Sequence, residues 1–394
     1  MTTVLLTDGQ QRKTLAAARS LGRQGLTVIV GEDTRWATAA FSKYCRKRIV
    51  YPHPRTNPRS FWEKLMEVIE EYHVETLFPM DDEISELVIK QQDQLKSSCH
   101  LLLPREEDYR IAADKGLATG LVRKIGVDCP LGIEPETEKD LENVSAVDKQ
   151  WKFPLVIKPR KSSGSRGIVY MTAEREPGEL ENVYQEIIRH SPFALVQECI
   201  PTGTKYDVCL LYDQSSNLKA SFVQKEIRHF PLDKGPSTVQ ESVWRPDLVE
   251  KADAIMKSLH WKGIAEVEFI HDPRDGKDKF MEINPRFWGS LQLAILSGVD
   301  FPWLYYRLIM GKSVKTVSLY QLGIKCRWLF PGDILHFLSN KNRWKMDPPF
   351  FAGAKKGIND DILSRNDIMP LAGFILAALH YLPDRNMWRQ IFDR

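Results

Sequence analysis

The chain has 394 residues, of which 43% are hydrophobic and 27% charged, which is typical of a globular protein with two or three domains. A net charge of +3, without a basic stripe of interleaved aromatics, argues against nucleic-acid binding. The six cysteines form no CxxC pair, the N-terminus shows no signal-peptide pattern, and no apolar run reaches the ~20 residues that span a bilayer. We therefore expect a reduced, cytoplasmic, enzyme-sized protein.

The first hundred or so residues alternate short apolar strands with amphipathic helices. The pattern predicts strands at 3–6, 27–30, 76–79 and 101–104, with helices at 14–21, 61–72 and 84–91. This order predicts a small parallel α/β domain. The opening resembles a dinucleotide fold, but the turn at 8–11 lacks GxGxxG, so a nicotinamide cofactor is a weak alternative.

An acidic turn follows the third of these strands, at the edge where an open α/β sheet binds ligands. Its residues are Asp81, Asp82 and Glu83. They could hold a substrate ammonium group, or they could cap the helix that starts near Ile84, where carboxylates favour the helix dipole. The sequence leaves these two interpretations equal.

The middle of the chain continues with mixed elements. Its hydrophobic pattern predicts strands at 151–159, 168–171, 194–198, 206–212 and 219–225, and helices at 115–124, 180–190, 248–259, 290–296 and 302–310. The tail from Val314 has the weakest pattern.

Two of these strands end on side chains that suit a nucleotide. Lys158 ends one strand and is a fixed point charge for phosphate. The loop KSSGSRG at 161–167 offers backbone N–H groups that could close over phosphates, although it is not a Walker A loop. A flexible, solvated hairpin loop is the alternative. Glu198 ends another strand, whose exposed backbone could receive an adenine edge.

The segment GIAEVEFIHDPRDGKDKFMEINPR at 263–286 predicts a β-hairpin around Asp275-Gly276. Alternation places oxygen-bearing side chains on one face: Glu266, Glu268, Glu282 and Asn284. The opposite, core-side face carries Val267, Phe269, Met281 and Ile283. Oxygen ligands suit Mg²⁺, and the adjacent Arg286 could neutralise a phosphoryl group or hold a carboxylate. A solvated acidic hairpin is the alternative.

Taken in order, these pieces resemble the ATP-grasp superfamily, most closely its carboxylate–amine ligase and carbamoyl-phosphate-synthase-like branch. The resemblance rests on Lys115, Lys158 with its glycine loop, Gln197-Glu198-x-Ile200-x-x-Gly203, Glu268 and Glu282-x-Asn284-x-Arg286. It covers about residues 1 to 311, and MEINPR-x-x-GS is its most specific motif.

The resemblance implies an α/β and α+β fold with a Rossmann-like N-terminal domain before a two-subdomain ATP-grasp fold. The implied parts are a pre-ATP-grasp domain at 1–112, a small lid subdomain at 113–196, a catalytic subdomain at 197–313 and an irregular C-terminal extension at 314–394.

The resemblance also implies a role for each matching residue. Phosphates would meet Lys115 and Lys158 and a mobile flap that includes Ser162, Ser163, Gly164 and Gly167. Adenine would meet Glu198 and the backbone of Ile200, with Asp207 near the ribose. The metal ligands would be Glu268, Glu282, which bridges two ions, and Asn284, with Glu266 a bystander. Arg286 would stabilise the transferred phosphoryl group.

The implied function is a ligase that uses ATP and two Mg²⁺ ions, which Mn²⁺ could replace. It would activate a small-molecule carboxylate as an acyl phosphate, release ADP, and pass the acyl group to an amine. The physical logic is that metal ions, lysines and an arginine must offset the repulsion between two anions. The alternative is an ATP-binding module without turnover that serves as a sensor or scaffold. A homodimer is left open.

The substrate side is less defined. Lys225, Arg228 and His229, with Lys234 and Gly235 beyond, form a basic segment. Arg228 could act at the catalytic centre by clamping a carboxylate bidentately, or it could be a solvated loop charge. Trp288 could line the pocket, but a buried aromatic is the preferred interpretation.

The tail contains the apolar run IMPLAGFILAALHYL at 368–382, followed by Arg385 and Arg389. The preferred interpretation is a helix packed on the catalytic body. The alternative is a helix that lies on a membrane surface or handles a lipid-like substrate.

Overall fold

The computed structural model describes residues 2–136, 154–161, 167–171, 179–200, 203–232, 235–353 and 357–382. Three β-sheets with their covering helices organise these residues. The predicted domain boundaries remain predictions.

The N-terminal sheet has four parallel strands in the order β3-β2-β1-β4. They are β1 (Thr3–Leu6), β2 (Thr27–Glu32), β3 (Cys45–Val50) and β4 (Thr76–Phe78). The helices of this part of the chain are α1 (Arg12–Arg23), α2 (Pro58–Glu71), α3 (Asp82–Lys90), α4 (Gln92–Leu95), α5 (Glu106–Ala113) and α6 (Lys115–Lys124). Strands β1 and β2 are almost continuously hydrophobic because helices cover both faces of this sheet.

The predicted strand at 101–104 is wrong. Only His100 bridges to the sheet, through Thr76. The next residues run beside the C-terminal helices instead, where the Leu102 carbonyl accepts a hydrogen bond of 2.8 Å from the Tyr305 hydroxyl.

The second sheet is antiparallel, with the order β5-β8-β6-β7. Its strands are β5 (Gly132–Ile133), β6 (Leu155–Lys158), β7 (Val169–Met171) and β8 (Leu195–Glu198). The helix α7 (Glu179–Ile188) buries Tyr184 against this sheet, in a small core of its own. Lys158 therefore stands at the end of a fully buried strand.

The third sheet has seven strands in the order β13-β12-β9-β10-β11-β14-β15. Five come from the predicted catalytic part: β9 (Lys205–Tyr212), β10 (Leu218–His229), β11 (Ser237–Ser242), β12 (Gly263–Asp272) and β13 (Lys277–Asn284). Helices α8 (Pro246–Ser258), α9 (Leu291–Leu296) and α10 (Phe301–Ile309) complete this part.

The tail is more regular than expected, because it extends this sheet. It supplies β14 (Lys325–Arg327), β15 (Ile358–Asp360), α11 (Ile334–Ser339) and α12 (Met369–Tyr381). Strand β14 pairs with β11, and β15 pairs with β14. Among the described residues, no helix is both long and apolar enough to cross a membrane.

The hairpin of β12 and β13 forms with one irregularity. Glu266 pairs with Asn284 and Glu268 with Glu282, as alternation predicts. A β-bulge then brings Phe269 opposite Phe280. The prediction that Met281 faces the core is therefore wrong, because the bulge adds a residue and Phe280 takes the buried position.

The preferred interpretation of Trp288 is confirmed. Its ring is buried and packs edge-on against Phe301, with ring centroids 4.8 Å apart. Both belong to the largest core, which joins α1 and β1 to the C-terminal helices. The N-terminal domain and the third sheet thus share one hydrophobic core.

Candidate active site

A cavity of about 380 Å³ lies where the N-terminal domain meets the acidic face of the hairpin. The loop before α1 and the start of that helix form one wall, and β9, β12 and β13 form the floor. Trp328, Ile362 and Phe374 from the tail close the far side. The cavity therefore has a charged floor and a partly apolar end.

The predicted metal ligands meet on this floor. The Asn284 amide Nδ2 donates to Glu268 Oε1 at 2.7 Å and to Glu266 Oε2 at 3.0 Å. All three residues, with Glu282, line the cavity. Glu266, expected to be a bystander, is thus a full member of the cluster.

Crowding of the carboxylates changes their pKa values. Burial raises the pKa of Glu266 to about 7, although Arg286 opposes the shift. Burial also raises the pKa of Glu268 well above its usual range, and the neighbouring Glu282 and Glu266 add to that rise. The site therefore carries electrostatic repulsion that a bound cation would relieve.

Glu282 behaves differently because lysines face it. Its carboxylate lies 2.9 Å from Lys115 Nζ. Burial alone would raise the pKa of Glu282, but Lys115 and Lys158 hold it below its usual value. Burial lowers the pKa of Lys158 to about 8. The two lysines predicted for phosphates are therefore both beside the predicted bridging ligand.

Lys205, which the sequence analysis missed, is a further cation on the cavity wall, beside Arg12, Lys13 and Arg286. Burial would lower its pKa, but Glu226 and Glu268 hold it above the usual value. Lys205 and Asp207 share one face of β9, so two-residue periodicity was a signal that could have found it. Glu226, also on the wall, lies 2.7 Å from the His229 ring.

Arg286 lies at the boundary between the hairpin and the N-terminal domain. Its Nε lies 2.9 Å from an Asp82 oxygen and 3.2 Å from an Asp81 oxygen, and another nitrogen donates to Asn284 Oδ1 at 3.1 Å. Burial would lower its pKa, but Asp82 and Asp81 raise it. Arg286 is thus a fixed cation at the edge of the cavity.

The contacts of Arg286 with Asp81 and Asp82 show what the acidic turn binds in this structure. Asp81 occupies the N-cap position of α3, yet its side chain makes no capping hydrogen bond. It lies 2.9 Å from Lys13 Nζ instead. Glu83 pairs with Arg55 on the surface. Asp81 and Asp82 therefore hold protein cations, a role that neither sequence interpretation included.

The phosphate flap falls largely outside the described residues, which exclude Ser162, Ser163 and Gly164. Gly167 is described, and its φ of +70° is a conformation that favours glycine. Lys161, at the start of the loop, pairs with Glu86 at 3.3 Å.

The adenine segment is present, but its carboxylate has protein partners. Glu198 accepts a hydrogen bond of 3.0 Å from the Leu131 backbone and pairs with Arg274 at 2.6 Å and Lys279 at 3.1 Å. Ile200 follows it, half-buried. Gly203, also in this motif, passes so close to the His271 backbone that any side chain there would clash.

Asp207, predicted near the ribose, is buried on β9 and lines the cavity. It accepts a hydrogen bond of 2.6 Å from the Gln224 amide. Burial and the neighbouring Glu226 raise its pKa well above the usual value. Asp207 therefore belongs to the same acidic cluster as the predicted metal ligands.

Arg228 is not among the residues that line the cavity. It is 4% exposed, lies 3.2 Å from an Asp333 oxygen, and donates to the Pro348 carbonyl at 2.6 Å. The solvated-loop interpretation is therefore wrong, and the guanidinium fastens β10 to the tail. Of its predicted basic neighbours, Lys225 pairs with Glu241, and Lys234 lies outside the described residues.

The donor set fits a hard divalent cation. Every candidate ligand is a carboxylate or amide oxygen, which is the preference of Mg²⁺. Within the described ranges, no three carboxylate, histidine or cysteine side chains converge as a metal cluster. In this structure Lys115 engages Glu282, and the Asn284 amide engages Glu266 and Glu268.

Comparisons with known proteins agree with this geometry. Residues 221–330 match a family described as "ATP-grasp in the biosynthetic pathway with Ter operon". The C-terminal section of the carbamoyl phosphate synthase large chain of Methanopyrus kandleri is 21% identical over 231 residues, covering 56% of this chain and 41% of that protein. This chain spans less than half the length of the curated relatives that it matches first.

Two solved structures share the fold. A biotin carboxylase from Campylobacter jejuni, in a βγ-ATP complex, has a TM-score of 0.67 at 17% identity and covers 82% of this chain and 74% of its own. An L-amino acid ligase from Bacillus licheniformis has a TM-score of 0.59 at 16% identity, covering 78% and 74%. The fold is therefore that of an ATP-grasp protein. Residues 221–330 thus match an ATP-grasp family model, and the described chain as a whole shares the fold of these structures.

Proposed function

We propose that this protein is an Mg·ATP-dependent ligase that activates a carboxylate as an acyl phosphate and transfers the acyl group to an amine. One observation supports this best: three lysines, an arginine and a cluster of oxygen donors surround the junction of the hairpin and the N-terminal domain. The attack of a carboxylate on a γ-phosphate needs such a concentration of cationic groups, because both reactants are anions.

The metal site would be held by Glu268, Glu282 and Asn284, with Glu266 adjacent. When bound, Mg²⁺ neutralises phosphate charge as a Lewis acid. The Lys115–Glu282 contact of 2.9 Å implies an exchange, in which Lys115 turns to a phosphate while Glu282 turns to the metal. The raised pKa values of Glu266 and Glu268 mean that both must lose a proton for full metal affinity.

The remaining cations would hold anionic oxygens. Lys158, at the end of a buried strand, supplies a point charge to the phosphates. Lys205 lies on the opposite wall beside Glu268, and Arg286 stands at the edge nearest the N-terminal domain. We assign Arg286 to the transferred phosphoryl group and the acyl phosphate, because it lines the cavity and contacts Asn284, one of the proposed metal ligands.

The nucleotide contacts remain proposals from the resemblance. Adenine would meet Glu198 and the backbone of Ile200, and Asp207 would face the ribose. Ser162, Ser163, Gly164 and Gly167 would close over the phosphates and keep water from the acyl phosphate. Mg²⁺ would occupy two positions, and Mn²⁺ would substitute. We do not assign Arg228 to catalysis, because Asp333 and the Pro348 carbonyl occupy its guanidinium.

The amine substrate would bind on the wall formed by β10. Burial works to raise the pKa of Glu226, but His229 and Lys205 hold it below the usual value, so the carboxylate is ionised at neutral pH. An ionised carboxylate that lines a cavity suits a substrate ammonium group. Trp328, Ile362 and Phe374 at the far end would pack on the apolar part of a substrate.

Trapping with hydroxylamine tests the reaction. The protein is incubated with Mg·ATP, hydroxylamine and a panel of carboxylates, and hydroxamate and ADP are measured together. An active carboxylate should yield both in equal amounts, and Glu268→Gln should lower the rate by roughly 10²-fold or more. Glu241→Gln is the matched control, because Glu241 lies in the same sheet but pairs with Lys225 and Lys325 outside the cavity.

The alternative is an ATP-binding module without turnover. One observation favours it: Glu282, Asn284 and Arg286 all have partners within the protein. Calorimetric binding of Mg·ATP, with no ADP released for any carboxylate and amine pair, would support this module and contradict the ligase.

A further inference from the structure

Helix α12 packs on the body with small side chains and the half-buried Phe374, and it exposes several other large side chains. Pro370, Gly373 and Ala377 are buried. Gly373 meets Phe41 so closely that a methyl group would clash with the ring. On the opposite side, three large apolar residues follow one helical stripe with exposed fractions of 67%, 49% and 59%: Ile368, Ile375 and Leu379. We name these three residues the apolar stripe.

This arrangement reverses the usual pattern of a surface helix, whose apolar face is turned to the core. It is also part of a wider concentration. Among the described residues, ten of the fifteen large exposed apolar side chains lie after residue 313. An apolar stripe left exposed on a helix in this way marks an interaction site.

Exposed basic residues lie on the segment before α12 and on the N-terminal segment that packs against α12. They are Arg35, Lys43, Arg46, Arg48 and Arg365, which we name the basic rim. The contacts fix their position: the Arg48 guanidinium lies 4.2 Å from the centre of the Phe41 ring, which packs on α12. The Lys43 backbone N–H donates at 2.9 Å to Asp367, the residue before Ile368.

Carboxylates of the same segments do not offset this charge. Residues 33–50 and 364–382 contain two, Asp33 and Asp367. The Tyr381 hydroxyl donates to Asp33 at 2.8 Å, while Asp367 is buried 2.9 Å from Arg19. The exposed charge that these segments present is therefore positive.

We propose that this face docks on an anionic membrane surface. The apolar stripe would enter the boundary between headgroups and acyl chains, with α12 in the membrane plane, and the basic rim would contact lipid phosphates. A two-fold dimer through the same face would set basic rim against basic rim, which charge repulsion opposes. The inference is independent of the proposed ligase activity.

Co-sedimentation with vesicles tests the apolar stripe. The full-length chain should pellet with vesicles of equal parts phosphatidylcholine and phosphatidylglycerol. Ile375→Ser combined with Leu379→Ser should lower the partition coefficient by about tenfold or more, because two apolar side chains that would be buried in the membrane are lost. Leu319→Ser with Leu322→Ser is the matched control, since both leucines are exposed elsewhere, and it should bind as the wild type does.

A second pair tests the charge. Lys43→Gln with Arg46→Gln should weaken binding to the anionic vesicles about tenfold and flatten its salt dependence. The proposal is overturned if the wild type fails to pellet, if it binds pure phosphatidylcholine equally well, or if the control pair weakens binding as much as the stripe pair. Light scattering that shows a dimer, converted to monomer by the stripe pair, would assign the face to a second copy instead.

Discussion

The ion pair between Lys115 and Glu282 allows stability and catalysis to be separated. The side chains are 9% and 22% exposed, and the atoms lie 2.9 Å apart. Loss of one member of a buried pair costs about 3–5 kcal/mol, because the other charge stays in a low-dielectric site. Glu282→Gln removes the carboxylate that faces both Lys115 and Lys158. We expect it to lower the free energy of unfolding by about 3 kcal/mol.

Glu282→Gln should also lower the rate of ADP release by roughly 10²-fold or more, since it removes a proposed metal ligand. Lys115→Met should cost a similar amount of stability and weaken nucleotide binding. The double variant should then recover part of the stability, with a coupling energy of about 1–3 kcal/mol. It should recover none of the activity, because both groups would be needed at the phosphates.

Urea denaturation measures the free energy of unfolding of each variant, and the hydroxamate assay measures its activity. A double variant whose destabilisation equals the sum of the two single values would refute the coupling. Turnover at the wild-type rate in Glu282→Gln would contradict the proposed metal site, whatever the effect on stability.

Three further predictions test other parts of the site. Mg²⁺ affinity, measured by calorimetry with ADP present, should rise as the pH increases through about 7, because the pKa of Glu266 is raised to about 7 and the ionised carboxylate adds negative charge beside the proposed metal ligands; affinity that is flat from pH 6 to 8 would contradict this. Asp82→Asn should lower kcat about tenfold while nucleotide binding changes little, because Asp82 orients Arg286; Glu83→Gln is the neighbouring control and should leave kcat unchanged. Arg228→Met should lower the free energy of unfolding, measured by urea denaturation, by about 3 kcal/mol. The kcat of the folded protein should stay within about twofold of the wild-type value. A loss of activity without a loss of stability would indicate that Arg228 acts in catalysis.

Most of the architecture could be predicted from local pattern. Three of the four parallel N-terminal strands, the hairpin and the helix that begins after Asp114 appear close to their predicted places, whereas β3 was not predicted. These elements are specified by short-range periodicity and by capping, as in the Asp114 carboxylate that accepts from the Gly116 and Leu117 amides. The strands of the tail escaped prediction because each is three residues long and depends on a distant partner, β14 on β11 and β15 on β14.

The site was predicted less completely, because its contacts are non-local. Alternation placed Glu266, Glu268 and Asn284 on one face, but it could not show the β-bulge that replaces Met281 with Phe280. The partner of Arg228 is Asp333, more than a hundred residues away, and no spacing rule connects them. Long-range ion pairs are decided by packing and burial, which a linear pattern does not contain.

The contacts of Arg286 explain why the site lies at a domain junction. The hairpin alone could hold a metal, but its arginine is oriented by Asp81 and Asp82 from the N-terminal domain. Asp81 also binds Lys13, whose ammonium group donates to the Phe287 carbonyl directly after Arg286. Displacement of the N-terminal domain would therefore remove the groups that orient Arg286 at the cavity. The activation of a carboxylate would then depend on both the hairpin and the N-terminal domain that faces it, because two aspartates of that domain orient the arginine that follows the hairpin.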